Sequence, residues 1–63
     1  MTEVYGKSEA LLDAAQQTFL THGYAGASID DIVRLSGVAK TTLYHHFNDK
    51  KGLFRAVVIR LCQ

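Results

Sequence analysis

Sixty-three residues bound this chain at one domain, with a core that by itself leaves a margin of only about 3 to 5 kcal/mol. Apolar residues make up 48% of it, and no apolar run approaches the roughly 18 residues of a membrane span, so the composition is that of a small globular domain. A net charge of +1 speaks against a uniformly basic polyanion binder and turns attention to how the charge is distributed.

The first periodic segment runs from about Ser8 to His22 after a tail over residues 1–7. Leu11, Leu12, Ala15 and Phe19 fall on one helical face, with Glu9, Asp13 and Gln16 opposite. Gly23 supplies a left-handed residue to end it. A joint from Tyr24 to Ala27 leads to Ser28, whose hydroxyl can cap the second helix. Asp31 sits where a capping-box acid would reach back. Ile29, Ile32 and Val33 form the buried stripe of that helix, and Ser36-Gly37 stops it. A short third helix follows, from Ala39 or Lys40 to about His46, with Leu43 and Phe47 as inward anchors. Asp49, with Asn48 beside it, caps a fourth helix that is apolar over a wide arc: Leu53, Phe54, Val57, Val58 and Leu61. No stop signal precedes Gln63, so the chain reads as a piece of a longer protein whose remainder would cover that arc.

The N-terminus lacks a basic segment followed by an apolar one, and Cys62 has no second thiol to pair with. A cytoplasmic location is expected. Up to residue 31 the chain carries Lys7 against Glu3, Glu9, Asp13, Asp30 and Asp31. Beyond it, Arg34, Lys40, Lys50, Lys51, Arg55 and Arg60 face Asp49 alone. The second half is therefore the side that would meet a polyanion.

Helices two and three have the parts of a helix-turn-helix: a helix, a glycine that takes a positive φ, a valine to plug the corner, and a second helix held by a few apolar residues. At 100° per residue, Leu43, Phe47 and Ala39 face inward while Thr41 and His45 point away, flanked by Thr42 and Tyr44. Such a ridge is small and polar, which suits a major groove. Lys50 adds a second sign. A lysine in the first turn of a helix faces the positive end of the dipole, at a cost of roughly 0.3 to 1 kcal/mol that a bound phosphate would offset.

From about Lys7 to Phe54 the sequence resembles the tetracycline-repressor (TetR) family of bacterial transcriptional repressors. The resemblance rests on Leu12-Asp13-Ala14-Ala15, Phe19, Gly23-Tyr24, Ser28-Ile29-Asp30-Asp31-Ile32, Gly37-Val38, Thr42-Leu43-Tyr44-His45-His46-Phe47 and Lys50-Lys51-Gly52-Leu53. It implies an all-α fold, a three-helix bundle with a helix-turn-helix plus the start of a fourth connecting helix. It also implies a larger helical C-terminal domain, outside this chain, that dimerises and binds a small-molecule inducer. By motif position, Lys40, Thr41, Thr42 and His45 match recognition-helix residues. Tyr44, His46 and Lys50 match backbone contacts, and Ser28 completes the expected DNA-binding set. Three positions depart from the family pattern. Ala39 stands where a Ser or Thr cap is usual, Val33 where a small alanine is usual, and Asp30 and Asp31 would repel phosphates unless turned back into the cap.

Simpler roles are weighed beside these. Phe19, Tyr24, Ile32, Leu43, Phe47, Leu53 and Phe54 read as core. Lys51, Arg55 and Arg60 read as a solvated face, and Cys62 as a small apolar residue in a seam. His45 and His46 point to different faces with no partner four residues away, so a metal site is not expected. No cofactor is expected either, and no nucleophile with a base or phosphate loop points to an enzyme. The expected partners are a near-palindromic duplex operator, a second copy and an inducer, with no membrane. The competing reading is a helical adaptor that docks a protein through its fourth helix.

Overall fold

The computed structural model describes residues 6–62, in which α1 (Lys7–Gly26), α2 (Ile29–Ser36), α3 (Lys40–Phe47) and α4 (Lys50–Leu61) follow one another without a strand among the described residues. The all-α expectation holds. Of the tail expected over residues 1–7, residues 1–5 lie outside the described residues, and Lys7 already belongs to α1.

Each helix forms where local chemistry permits it and ends where a residue forbids it. Gly23 interrupts α1 with φ 77° and ψ 168°, a conformation that β-carbons disfavour. As expected from the sequence, regular helix breaks at Gly23, and the Ala27 N–H returns to the Gly23 carbonyl at 3.1 Å to close one further turn beyond the kink. The Ser28 hydroxyl caps α2 by accepting from the Asp31 N–H at 3.1 Å. Asp31 does not reach back as a capping-box acid, because its carboxylate pairs with Arg34 at 3.4 Å. Gly37 closes α2 in the left-handed region, φ 75° and ψ 11°. Ser36 tightens the same turn, donating to the Val33 carbonyl and accepting from the Val38 N–H, both at 3.1 Å.

The α3–α4 joint is tighter still. Asn48 takes φ 67° and ψ −55°, and the Asp49 N–H reaches the Phe47 carbonyl at 2.7 Å. This is a γ-turn of the rare positive-φ kind. Asp49 caps α4, its carboxylate accepting from the Gly52 N–H at 2.8 Å. A β-carbon on Gly52 would run into the Phe47 carbonyl oxygen. The close approach of these two backbones explains why glycine follows the two lysines.

Packing converges on α1, which touches all three other helices. Leu11, Ile32, Leu43 and Leu53, one from each helix, have no exposed surface. Ala14, Ala15, Phe19, Ala27 and Val57 complete the buried core, with Leu12, Ile29, Val33, Val38 and Phe47 packed against it. Burying each of the four central side chains contributes about 1.5 to 3 kcal/mol. Two residues read as core stand half out of it. Tyr24 is 40% exposed and Phe54 37%. They pack on Phe19 and on each other at ring separations of 4.9 to 5.8 Å, forming an aromatic cluster at the molecular edge. Ala39, expected to face inward, is exposed because it precedes the first turn of α3.

Candidate nucleic-acid interface

The inward anchors of α3 decide what its outer side offers. With Leu43 fully buried and Phe47 packed on the core, Thr41, Tyr44, His45 and His46 are exposed and Thr42 is half-buried. Tyr44 keeps 41% of its surface open. The His45 and His46 rings lie 5.7 Å apart on this outer side, and His46 also approaches the Phe47 ring. The result is a ridge of hydroxyls and imidazoles along the outer side of α3.

Lys40 opens this ridge, but its ammonium is not free. It lies 2.6 Å from the Asp30 carboxylate in the first turn of α2, tying the two helices of the helix-turn-helix together. The hydrogen bond and the charge of Lys40 hold the Asp30 carboxyl below the usual carboxylate range, and Asp30 likewise raises Lys40. The two acids expected to repel phosphates are thus each turned onto a cation, Asp30 onto Lys40 and Asp31 onto Arg34.

Lys50 is also engaged. Its ammonium donates to the carbonyls of Tyr24 at 2.9 Å and Ala27 at 3.0 Å and sits 4.6 Å from the centre of the Tyr24 ring. These are carbonyls left over where α1 ends, so the lysine acts as a remote C-cap. Lys50 therefore reaches the residue next to Ser28, and Lys40 reaches two residues beyond it. Of the eight expected contact residues, Ser28, Lys40 and Lys50 meet around the start of α2, while Thr41, Thr42, Tyr44, His45 and His46 line α3.

Arg60 departs from its reading as solvated face. Its guanidinium pairs with Asp13 at 2.8 Å and Glu9 at 3.4 Å and donates to the Gln16 amide oxygen at 2.6 Å, fastening the end of α4 to α1. The sequence carried a signal for this: Glu9, Asp13 and Gln16 recur at helical spacing on one stripe of α1. Among the described residues no group of three or more His, Cys, Asp or Glu side chains could hold a metal, and no helix is long and apolar enough to cross a membrane.

A profile described as "Bacterial regulatory proteins, tetR family" matches residues 11–57, which takes in the α1 core face, the helix-turn-helix and the start of α4. The chain belongs to the tetR family of bacterial regulatory proteins. Membership in the tetR family gives it a DNA-binding helix-turn-helix used in transcription regulation. It is similar to the HTH-type transcriptional repressor ComR of Escherichia coli K12, 46% identical over 52 residues, which are 82% of this chain and 25% of that protein. It is also similar to the transcriptional regulator RutR of the same strain, 40% identical over 55 residues, 87% of this chain and 26% of RutR. A third relative is the transcriptional activator FasR of Mycolicibacterium smegmatis, 44% identical over 50 residues, 79% of this chain and 23% of FasR. The chain thus spans about a quarter of the length of these tetR-family relatives. All three names are those of transcription regulators. No solved structure matches the chain significantly.

Proposed function

We propose that this domain binds duplex DNA by laying the exposed side of α3 into the major groove, with Ser28, Lys40, Thr41, Thr42, Tyr44, His45, His46 and Lys50 as the contact set. The observation that carries the reading is the sidedness of α3: Leu43 fully buried, and Thr41, Tyr44 and His45 exposed on a helix bounded by turns at the positive-φ residues Gly37 and Asn48. Short hydroxyls and imidazoles reach base edges and phosphates, while Tyr44 and Lys50 fix the register on the backbone. Lys50 has three N–H donors; two serve carbonyls and one is left for a phosphate.

The whole protein, on this reading, is a cytoplasmic repressor. A C-terminal domain beyond this segment dimerises it and binds a small-molecule inducer, and the apolar side of α4 docks against that domain. Two heads would then meet a near-palindrome at a separation of about 34 to 36 Å, or a multiple of that. No cofactor or metal enters the binding. A second reading, a protein-docking adaptor without DNA binding, draws on the exposed Phe54, Val58 and Leu61 of α4, which are 37%, 41% and 55% open.

Salt separates the two. One head should bind a random duplex at roughly 10⁻⁴ to 10⁻⁶ M near physiological salt and lose affinity steeply as salt rises. Fluorescence anisotropy of a labelled duplex across a salt series reads this directly. A folded chain that binds no duplex at any salt would establish the adaptor reading instead.

A further inference from the structure

We infer that Asp30 is a specificity-determining residue that withholds Lys40 from DNA phosphates. The inference rests on Lys40 belonging to the DNA-facing surface, as proposed above, and adds a role for an acid that neither the motif nor the contact set assigns.

Lys40 is the sole lysine or arginine on α3. Its long stem could extend into solvent. Instead it folds back across the turn onto a carboxylate ten residues earlier, at 2.6 Å. No burial holds it there: 51% of the Lys40 side chain and 69% of the Asp30 side chain remain exposed. The pair is therefore an exchangeable contact at the edge of the ridge, and DNA must compete for it. Arg34, the other cation near Asp30, is itself paired with Asp31 at 3.4 Å.

The consequence follows from how nonspecific binding works. Cations that neutralise phosphates release condensed counterions, and each such contact adds about 0.9 to the slope of log affinity against log salt. A lysine already neutralised by a protein carboxylate adds nothing to this until the pair breaks. Breaking it for a phosphate leaves Asp30 facing a second negative charge. A neutral acceptor edge, such as guanine O6 and N7, carries no such penalty, and three ammonium donors allow Lys40 to serve that edge while keeping Asp30. The pair thus weakens binding to arbitrary sequence more than binding to a site that presents the right edge.

The test uses the 63-residue chain, a labelled duplex of roughly 20 base pairs of arbitrary sequence, and a salt series starting near about 50 mM. Asp30→Asn should bind about three- to tenfold more tightly at the low-salt end, and its slope should steepen by about 0.9. Asp31→Asn, made in an Arg34→Ala background so that no paired cation is released, removes the same charge one residue away without touching Lys40 and should change affinity less than about twofold relative to Arg34→Ala alone. Combining Asp30→Asn with Lys40→Ala should abolish the steepening. All these side chains are on the surface, and circular dichroism confirms that each variant is folded. Equal gains from the two asparagine variants, or a steepened slope that survives loss of Lys40, would overturn the inference. Wild-type binding left unchanged by Asp30→Asn would overturn it alone, whereas folded variants and wild type that all fail to bind duplex would overturn the DNA reading beneath it as well.

Discussion

Lys50 shows how one side chain can tie distant parts of a small fold together. Its ammonium closes two carbonyls at the end of α1 and lies against the Tyr24 ring, so the start of α4 and the joint before α2 are fixed to each other. Replacing it by alanine should cost about 1 to 2 kcal/mol in urea unfolding, from lost charge-assisted hydrogen bonds. It should also lower affinity for all duplex sequences alike; a change in base preference alone would contradict a backbone role. Gly52 is the stricter position. Alanine there would force a β-carbon into the Phe47 carbonyl, and the variant should lose about 1 to 3 kcal/mol by the same measurement. The Asp30–Lys40 pair makes a pH prediction. Asp30 is depressed, so its contribution is present above the ordinary carboxylate range and lost as pH falls through its lowered value. Lys40 is raised, so its contribution is present below the ordinary lysine range and lost as pH rises through its raised value. The pair should hence stay constant across neutral pH, and an NMR titration of the Asp30 carboxyl carbon should return to the ordinary range in Lys40→Ala.

At the scale of the elements, α3 is the least supported helix. It has eight residues, no side-chain cap at Ala39, and a strained γ-turn behind it. Ala39 already holds an extended, cap-like conformation, φ −62° and ψ 147°. Ala39→Ser should therefore stabilise the domain by about 0.5 to 1 kcal/mol, seen as a raised denaturation midpoint with unchanged slope. The opposite result would mean that the start of α3 is satisfied in some other way. The end of α4 depends on Arg60. Removing it as Arg60→Ala should cost about 0.5 to 1.5 kcal/mol, and hydrogen exchange should quicken in the last turn of α4 before anywhere else. What could be read from the sequence at this scale was local: the Ser28 and Asp49 caps, the left-handed Gly37, and the alternation that buries Leu43 and exposes Thr41. What escaped was non-local. Lys50 meets carbonyls 23 and 26 residues away, and Arg60 meets Glu9 across 51. No periodicity reports such pairings, because they depend on how α1 and α4 cross. Tyr24 and Phe54 were misplaced for the same reason, since aromatic character marks packing but not whether a further layer covers it.

For the whole molecule, the uneven charge along the sequence becomes a spatial arrangement. The acids of α1 are spent on Arg60, those of α2 on Lys40 and Arg34, and the outer side of α3 is left polar and nearly uncharged. On the proposed reading, such a surface suits groove shape and hydrogen-bonding edges more than bulk charge, which accords with a net charge of only +1 in a DNA-binding tetR-family chain. The core that supports it is small, with the four large, fully buried aliphatic side chains Leu11, Ile32, Leu43 and Leu53 at its centre. Truncating one of them, as in Leu43→Ala, should remove about 2 to 5 kcal/mol and leave little or no folded population at 37 °C by circular dichroism. The central claim, that the outer side of α3 is what meets DNA, is tested most directly by an NMR titration of the isotopically labelled chain with a short random duplex. Resonances of Lys40, Thr41, Tyr44, His45 and Lys50 should shift most while those of Gln17 and Leu20 on α1 stay in place. Shifts confined to Phe54, Val58 and Leu61, with α3 unmoved, would contradict it.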